Sequence, residues 1–273
     1  MWRQQHKKFH AFSNQRRNVN SIWDLQTHQG LTITSQQDLS KVVLEHFKHL
    51  FSDDGAPWLE AKMEVLKLFP SLFSPEDKFQ LGKGVTLSEI ESILRGYAKD
   101  KIPGPDGWTV EFFNGFLDLV GQEVLDMIEE TRLEGRISGS INSMFISLIP
   151  KMSRPSFYDD FRPISLCNLV CKLITKMIVE RLKPILAKNI TPEQFGFLPS
   201  HQILDAVGIA QEGIHSIKTK NIPDLLLKID LTKSYDRIDW VFLRLALLQS
   251  GMDTNVVTWI MGCVSFVYLS LLW

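Results

Sequence analysis

The amino-acid sequence predicts an α+β fold. Three observations carry that prediction. Amphipathic helical patterns fill most of the chain, and only three short stretches read as strands. Those strands do not alternate with helices in the βαβ rhythm of a doubly wound sheet. Of the 273 residues, 44% are hydrophobic and 22% charged, a globular composition. The length suits one large domain or two small ones.

Residues 1–30 are polar and basic with scattered aromatics, Trp2, Phe9, Phe12 and Trp23. No apolar run of a secretory signal follows the early basic residues. Residues 36–51 place Leu39, Val42, Val43, Phe47 and Leu50 near helical spacing. Ser52 to Pro57 is a break, and its Asp53-Asp54 pair reads as a solvated turn rather than a metal site. Thr86-Leu87-Ser88-Glu89 fits a capping box, in which hydroxyl and carboxylate satisfy free N–H groups at a helix start. Ile90, Ile93, Leu94 and Tyr97 then mark one apolar face. Lys101-Ile102-Pro103-Gly104-Pro105-Asp106-Gly107 stops that helix. Its prolines fix φ and its glycines permit tight turns, so it reads as a rigid connector.

Helices are predicted over 108–119 and 121–134. Residues 142–149 read as a strand closed by Pro150-Lys151, and Phe161 to Leu166 as a second strand with Pro163 at an edge or irregular position. A long helix is predicted over 168–186 and another over 202–219, with a loop between Thr191 and Ser200. Leu225 to Leu231 is the third strand, ending at Asp230. A carboxylate at the end of a buried strand costs free energy unless it faces a cleft, a cation or a partner. Tyr235 to Gln249 is predicted helical, with Gly251 fitting the position just past its end.

The formal net charge is −1. This excludes a uniformly basic coat for nucleic acid and leaves room for a local basic groove. Three cysteines, Cys167, Cys171 and Cys263, form no closed disulfide framework and point to a reducing compartment. Cys167 and Cys171 lack companion metal ligands and read as packing, and His46 and His49 read as a surface pair. No Gly-rich phosphate loop of the P-loop type is present.

Five strings together resemble the LINE-type (non-LTR) retrotransposon reverse transcriptases. In order they are Lys101 to Gly107, Leu148-Ile149-Pro150-Lys151, Asp160-Phe161-Arg162-Pro163-Ile164-Ser165-Leu166-Cys167-Asn168, Gln194-Phe195-Gly196-Phe197-Leu198-Pro199, and Lys228 to Trp240 with Asp230-Leu231-Thr232-Lys233-Ser234-Tyr235 at its centre. The resemblance covers residues 85–265 well and 1–84 more loosely, and is closest to elements abundant in plant genomes. It implies an RNA-directed DNA polymerase with a partial right-hand fold. Residues 1–84 are then an N-terminal helical or linker region, 85–222 fingers, and 223–273 the first part of a palm.

The resemblance also implies roles. Asp230 matches the catalytic aspartate that binds Mg²⁺ for nucleotidyl transfer, with the Leu231 carbonyl as a second ligand. Hard oxygen donors suit that ion. Lys151 and Arg162 match fingers cations that contact the incoming triphosphate, a task guanidinium performs in bidentate fashion. Tyr235 matches the aromatic under the nucleotide sugar that selects dNTPs. An RNA template and a DNA primer are the implied partners, and an intracellular location, nuclear or cytoplasmic, follows by resemblance. Asp236 and Asp239 read as helix-start acids favoured by the macrodipole.

Departures from the pattern shape the remaining expectations. The family's aromatic-x-Asp-Asp hairpin has no counterpart after Asp230, Ser200-His201 stands where relatives carry Gly-Arg, and no endonuclease precedes the matched region. The sequence therefore reads as a copy truncated or decayed within the palm, inactive alone. One alternative is a non-catalytic protein retaining RNA binding. Another is a tail anchor, because Thr254 to Trp273 carries no Asp, Glu, Lys, Arg or His. Against the anchor stand Asn255, Gly262, several hydroxyl residues and the absence of a basic flank. Four structural expectations follow. Strands 142–150 and 161–167 pair; Asp230 ends a separate strand; Lys151, Arg162, Asp230 and Tyr235 converge on one cleft; and residues 254–273 lie uncovered.

Overall fold

A computed structural model of the chain describes residues 22–26, 31–51, 59–191, 193–198, 202–221, 223–231, 234–265 and 267–272. Its helices are α1 (Gln36–Phe51), α2 (Leu59–Leu66), α3 (Pro75–Gly82), α4 (Leu87–Arg95), α5 (Val110–Glu134), α6 (Leu169–Asn189), α7 (Ile203–Lys220), α8 (Trp240–Gln249) and α9 (Thr254–Ser265). Its strands are β1 (Leu25–Gln26), β2 (Thr32–Ile33), β3 (Ser143–Pro150), β4 (Phe161–Cys167) and β5 (Tyr268–Leu272). This is the α+β class, helix-rich with small sheets.

The main sheet has the order β4-β3-β5. The expected pairing of β3 with β4 is present and antiparallel, with Ile149 opposite Arg162 and Pro150 opposite Phe161. Directly opposed residues share a face. Ile146, Leu148 and Phe161 bury one face of the sheet against Leu39, Val43 and Phe47 of α1. Ile149 and Arg162 lie on the other face, and both are exposed. β5 joins β3 in parallel, Ser143 opposite Tyr268. The sheet therefore includes a strand from beyond residue 222, so the expected fingers and palm segments share it.

The largest core lies between α4, α5, α6 and α9, around Ile90, Leu94, Ile128, Leu173, Ile174, Met177 and Trp259. The Trp259 indole is 1% exposed and its N–H donates to Thr131 Oγ1 at 3.2 Å. The expectation that 254–273 lies uncovered is thus corrected over α9, whose Val256, Val257, Trp259, Met261 and Cys263 are all buried. The reason is helical spacing: Trp259 and Cys263 enter the core with α5 and α6, and Val256, Val257 and Met261 pack with Phe73, Leu81 and Ile185 rather than requiring further strands. Among the described residues no helix is long and apolar enough to cross a membrane.

The strand expected at 225–231 is also corrected. This segment has no ladder, and Leu225, Leu227, Ile229 and Leu231 are each more than 70% exposed. A strand needs a neighbour for its N–H and C=O groups, and no described segment pairs with this one. Composition supplied strand propensity without supplying the partner.

Other differences are local. Residues 110–134 form one helix kinked at Phe116 (φ −125°, ψ 16°), not two. Gly121 is no breaker there, because its missing side chain lets α5 approach Leu87, 3.3 Å from where a Cβ would stand. The predicted helix from Tyr235 begins as a 3₁₀ turn, Ser234–Arg237, and becomes α-helical at Trp240. His46 is not a surface residue, since its ring packs at 3.9 Å on Tyr158. Asp53 and Asp54 lie outside the described residues.

Candidate functional site

The Lys101–Gly107 connector owes its path to one side chain. Asn168, 1% exposed, lies at the junction of β4 and α6. Its Oδ1 accepts from the Asp106 N–H at 3.0 Å, and its Nδ2 donates to the Ser140 carbonyl at 2.7 Å and to Ser143 Oγ at 3.0 Å. Gly104 runs so close that a Cβ there would stand 2.5 Å from Asn168 Oδ1. Asp106 closes the turn by accepting from the Trp108 N–H at 3.1 Å, and burial pushes its carboxyl above the usual range. Asn168 thus joins the connector, the start of β3 and the end of β4. In the sequence Asn168 only closes one of the five strings. Its signal was a polar residue at the start of an otherwise apolar helix.

Two more buried polar groups hold the frame. Asn142, also 1% exposed, donates to the Gly262 carbonyl at 3.2 Å, and the Cys171 thiol donates to its Oδ1 at 3.4 Å. Burial pushes the Cys171 thiol up to about 11 and the Cys263 thiol up to about 12. They are packing residues, as expected.

Arg181 grips Glu89 through Nε at 2.8 Å and Nη2 at 2.7 Å. It also donates to the carbonyls of Leu81, Lys83 and Gly84. This alters the expected capping box. Thr86 does cap α4 by accepting from the Glu89 N–H, but the Glu89 carboxylate turns away to Arg181. A guanidinium offers a two-point charged partner that one backbone N–H cannot match.

On this frame the hairpin of β3 and β4 carries two predicted site residues to one end of the sheet. The Lys151 ammonium donates to the Asp159 carbonyl at 2.7 Å, and its backbone N–H donates to the Asp160 carbonyl at 2.7 Å. The Asp160 carboxylate accepts N–H bonds from Phe157 and Ser156, which hold it below the usual carboxylate range. The loop is therefore fixed from within. Arg162 projects from the exposed face of β4, beside Ile149.

Tyr235 sits in the Ser234–Arg237 turn, edge-on to Phe197 with ring centroids 6.1 Å apart. That contact joins two of the sequence strings. Asp230 and Leu231 lie in the exposed 223–231 segment. Lys151 and Arg162 thus share one end of the hairpin, while Tyr235 packs against Phe197. Among the described residues no ion pair joins Asp230 to either cation. The Tyr235 turn packs against α1, which covers the sheet face opposite Arg162. Of the four residues expected to converge, the structure brings Lys151 and Arg162 to one end of the hairpin and leaves Asp230 and Tyr235 on other segments.

A divalent ion would find suitable donors here but few of them. Asp230 supplies one carboxylate and Leu231 one carbonyl, and no group of three or more His, Cys, Asp or Glu is placed to hold a metal among the described residues. Such a pair does not hold the ion without phosphate oxygens from a substrate. Asp239 is not a ligand. As expected of a helix-start acid it caps α8, accepting from the Phe242 N–H at 2.7 Å, and its bond to Lys62 holds it below the usual range.

The β3–β4 hairpin with its two cations and the connector held by Asn168 are the organised part of the candidate site. Residues 149–269 match the family described as reverse transcriptase (RNA-dependent DNA polymerase). The chain is 29% identical over 236 residues to the Transposon TX1 uncharacterized 149 kDa protein of Xenopus laevis, an alignment covering 86% of this chain and 18% of that protein. It is 22% identical over 181 residues to the Retrovirus-related Pol polyprotein from type-1 retrotransposable element R2 of Popillia japonica, covering 66% of this chain and 24% of that one. Residues 149–269 therefore resemble a reverse transcriptase domain. Both relatives are named as transposon or retrotransposable-element proteins, which supports the resemblance to LINE-type, non-LTR reverse transcriptases. The chain spans less than a quarter of the length of either relative.

Proposed function

We propose that this chain forms the nucleotide-binding fingers and the beginning of the palm of an RNA-directed DNA polymerase. Residues 85–222 are read as mainly fingers and 223–273 as early palm, with an RNA template, a DNA primer and dNTPs as partners. The observation that carries this reading is the β3–β4 hairpin, which presents Lys151 and Arg162 at one end of a sheet inside the family-matched region. Arg162 is assigned to the triphosphate and Lys151 to its flank. Tyr235 is assigned to the sugar, where a ring disfavours a 2′-hydroxyl. Asp230 and the Leu231 carbonyl are assigned to Mg²⁺, which supplies charge stabilisation for phosphoryl transfer when bound.

We further propose that residues 1–273 do not polymerise by themselves. Only Asp230 represents the acidic motifs, and one carboxylate leaves a two-metal cage incomplete. Two measurements test the reading. Binding of a fluorescent dNTP with Mg²⁺ should weaken about tenfold or more in Arg162→Ala, the loss expected for a charge-assisted phosphate contact. Equal binding by both proteins removes the triphosphate assignment. Template-dependent dNTP incorporation should be absent. Incorporation that vanishes in Asp230→Ala would show that these residues suffice for catalysis.

A further inference from the structure

We propose that the N-terminal helices are a clasp that holds the two halves of the candidate site in register, with Lys62 as its positioning residue. The role given to Tyr235 rests on the nucleotide reading above. The clasp itself rests on geometry alone.

Residues 59–73 run along α8 from one end to the other. At the start, Lys62 on α2 bonds to Asp239 Oδ2 while Asp239 Oδ1 accepts from the Phe242 N–H. One carboxylate therefore serves both as helix cap and as ionic anchor. The two side chains are only 15% and 26% exposed, so this pair is shielded from solvent more than an ordinary surface pair. In the first turn of α8, Phe69 meets Phe242 edge-on at 6.1 Å. At the far end the Leu72 and Phe73 N–H groups donate to the Ser250 carbonyl at 2.8 and 3.4 Å.

The helix α1 completes the arrangement. Its Leu39, Val43 and Phe47 fill the core under the hairpin sheet, and it also packs against the Ser234–Arg237 turn. The same N-terminal region therefore touches the sheet that carries Arg162 and the turn that carries Tyr235. The connection is needed because the intervening 223–231 segment has no ladder to fix it. Residues 36–51 and 59–73 are in this view part of the site's support rather than a linker.

Hydrogen exchange across 234–249, read by mass spectrometry, tests the clasp. Lys62→Met removes the charge and keeps the stem. Asp239→Asn keeps a competent N-cap and loses the charge. Each should speed exchange in 234–249 about fivefold while leaving 169–189 unchanged. The double variant should exchange no faster than either single one, since both remove the same interaction. Lys62→Arg should exchange like the native chain. Native-like exchange in both single variants, or effects that multiply in the double variant, would overturn the clasp. Fluorescent-dNTP binding by the same proteins judges the nucleotide reading separately. A native chain that binds no dNTP overturns the role of Tyr235, and with it the positioning role, whereas the ionic anchor is judged by exchange alone.

Discussion

Replacing Asn168 should destabilise the protein by about 3 kcal/mol, and the choice of replacement should matter. The side chain is almost wholly buried and makes three hydrogen bonds, to the Asp106 N–H, the Ser140 carbonyl and Ser143 Oγ. Each is worth about 1 kcal/mol net, and Asn168→Ala strands the buried partners at similar or greater cost. For a chain of this size the melting temperature should fall by about 6–12 °C. Asn168→Asp keeps the acceptor for Asp106 and turns an acceptor toward the Ser140 carbonyl. Near neutral pH it should therefore lose more than the alanine variant, because a buried carboxylate faces a carbonyl oxygen. The sign of its pH dependence follows. Burial raises the new carboxyl above its unfolded value, so the folded state favours the protonated form, and the deficit should shrink as the pH is lowered toward about 5. Urea melts followed by circular dichroism at about pH 7.5 and about pH 5 measure both effects. A loss below about 1 kcal/mol in the alanine variant, or identical losses in the two variants at the higher pH, would refute the account of Asn168 as a three-way clamp.

Arg181→Met should cost about 3 kcal/mol or more in the same melts, because it leaves Glu89 and three carbonyls without their donor; adding Glu89→Met should recover part of that loss. The Cys171 and Cys263 thiols should resist an aromatic disulfide reagent near pH 8 in the folded protein and react once it is unfolded. Since their folded pKa values are raised, the stability they contribute is full below the unfolded thiol value and falls as the pH climbs through about 9 toward about 11 and 12. Leu225→Ser with Leu227→Ser should change the folding free energy by less than about 0.5 kcal/mol and raise solubility, because both side chains are more than 70% exposed; a larger destabilisation would show that this segment is packed in solution.

What the sequence made legible are features whose physics is local. The helix at 36–51 follows from apolar spacing, and it is present with those bounds. The pairing of β3 with β4 follows from two adjacent β-rich stretches, and the Thr86 cap from a hydroxyl three residues ahead of an N–H. Features that depend on a distant partner were not legible. Glu89 has a local N–H within reach, yet it turns to Arg181, 92 residues away in sequence. The sequence suggests two helices over 108–119 and 121–134, and the close approach of Leu87 to Gly121 within one continuous helix carries no local signal. At the candidate site, Lys151 and Arg162 could be named from their strings and their common hairpin predicted. The Lys62–Asp239 pair, 177 residues apart, carried no signal in either local sequence. The apolar stretches 225–231 and 254–265 show the same limit from opposite sides. Both are rich in Leu, Ile or Val, but only the helical one finds a core to enter.

This contrast has a consequence for the site. The cationic half is organised by bonds inside the described structure. Lys151 is tied to the loop through Asp159, the loop is closed by Asp160, and the sheet beneath is fixed by Asn168 and Asn142. A triphosphate meeting this half would encounter groups already in place, so little of its binding free energy would be spent on ordering the protein. The acidic half differs. Asp230 lies on a segment without a ladder, and ordering each such residue costs roughly 1–2 kcal/mol of backbone entropy. The 223–231 segment has no ladder bonds among the described residues to offset such a cost. The two halves should therefore respond differently to added strand partners. On the proposed roles, dNTP binding in the absence of metal should change little, whereas metal binding by Asp230 should rise only when the 223–231 backbone acquires a ladder.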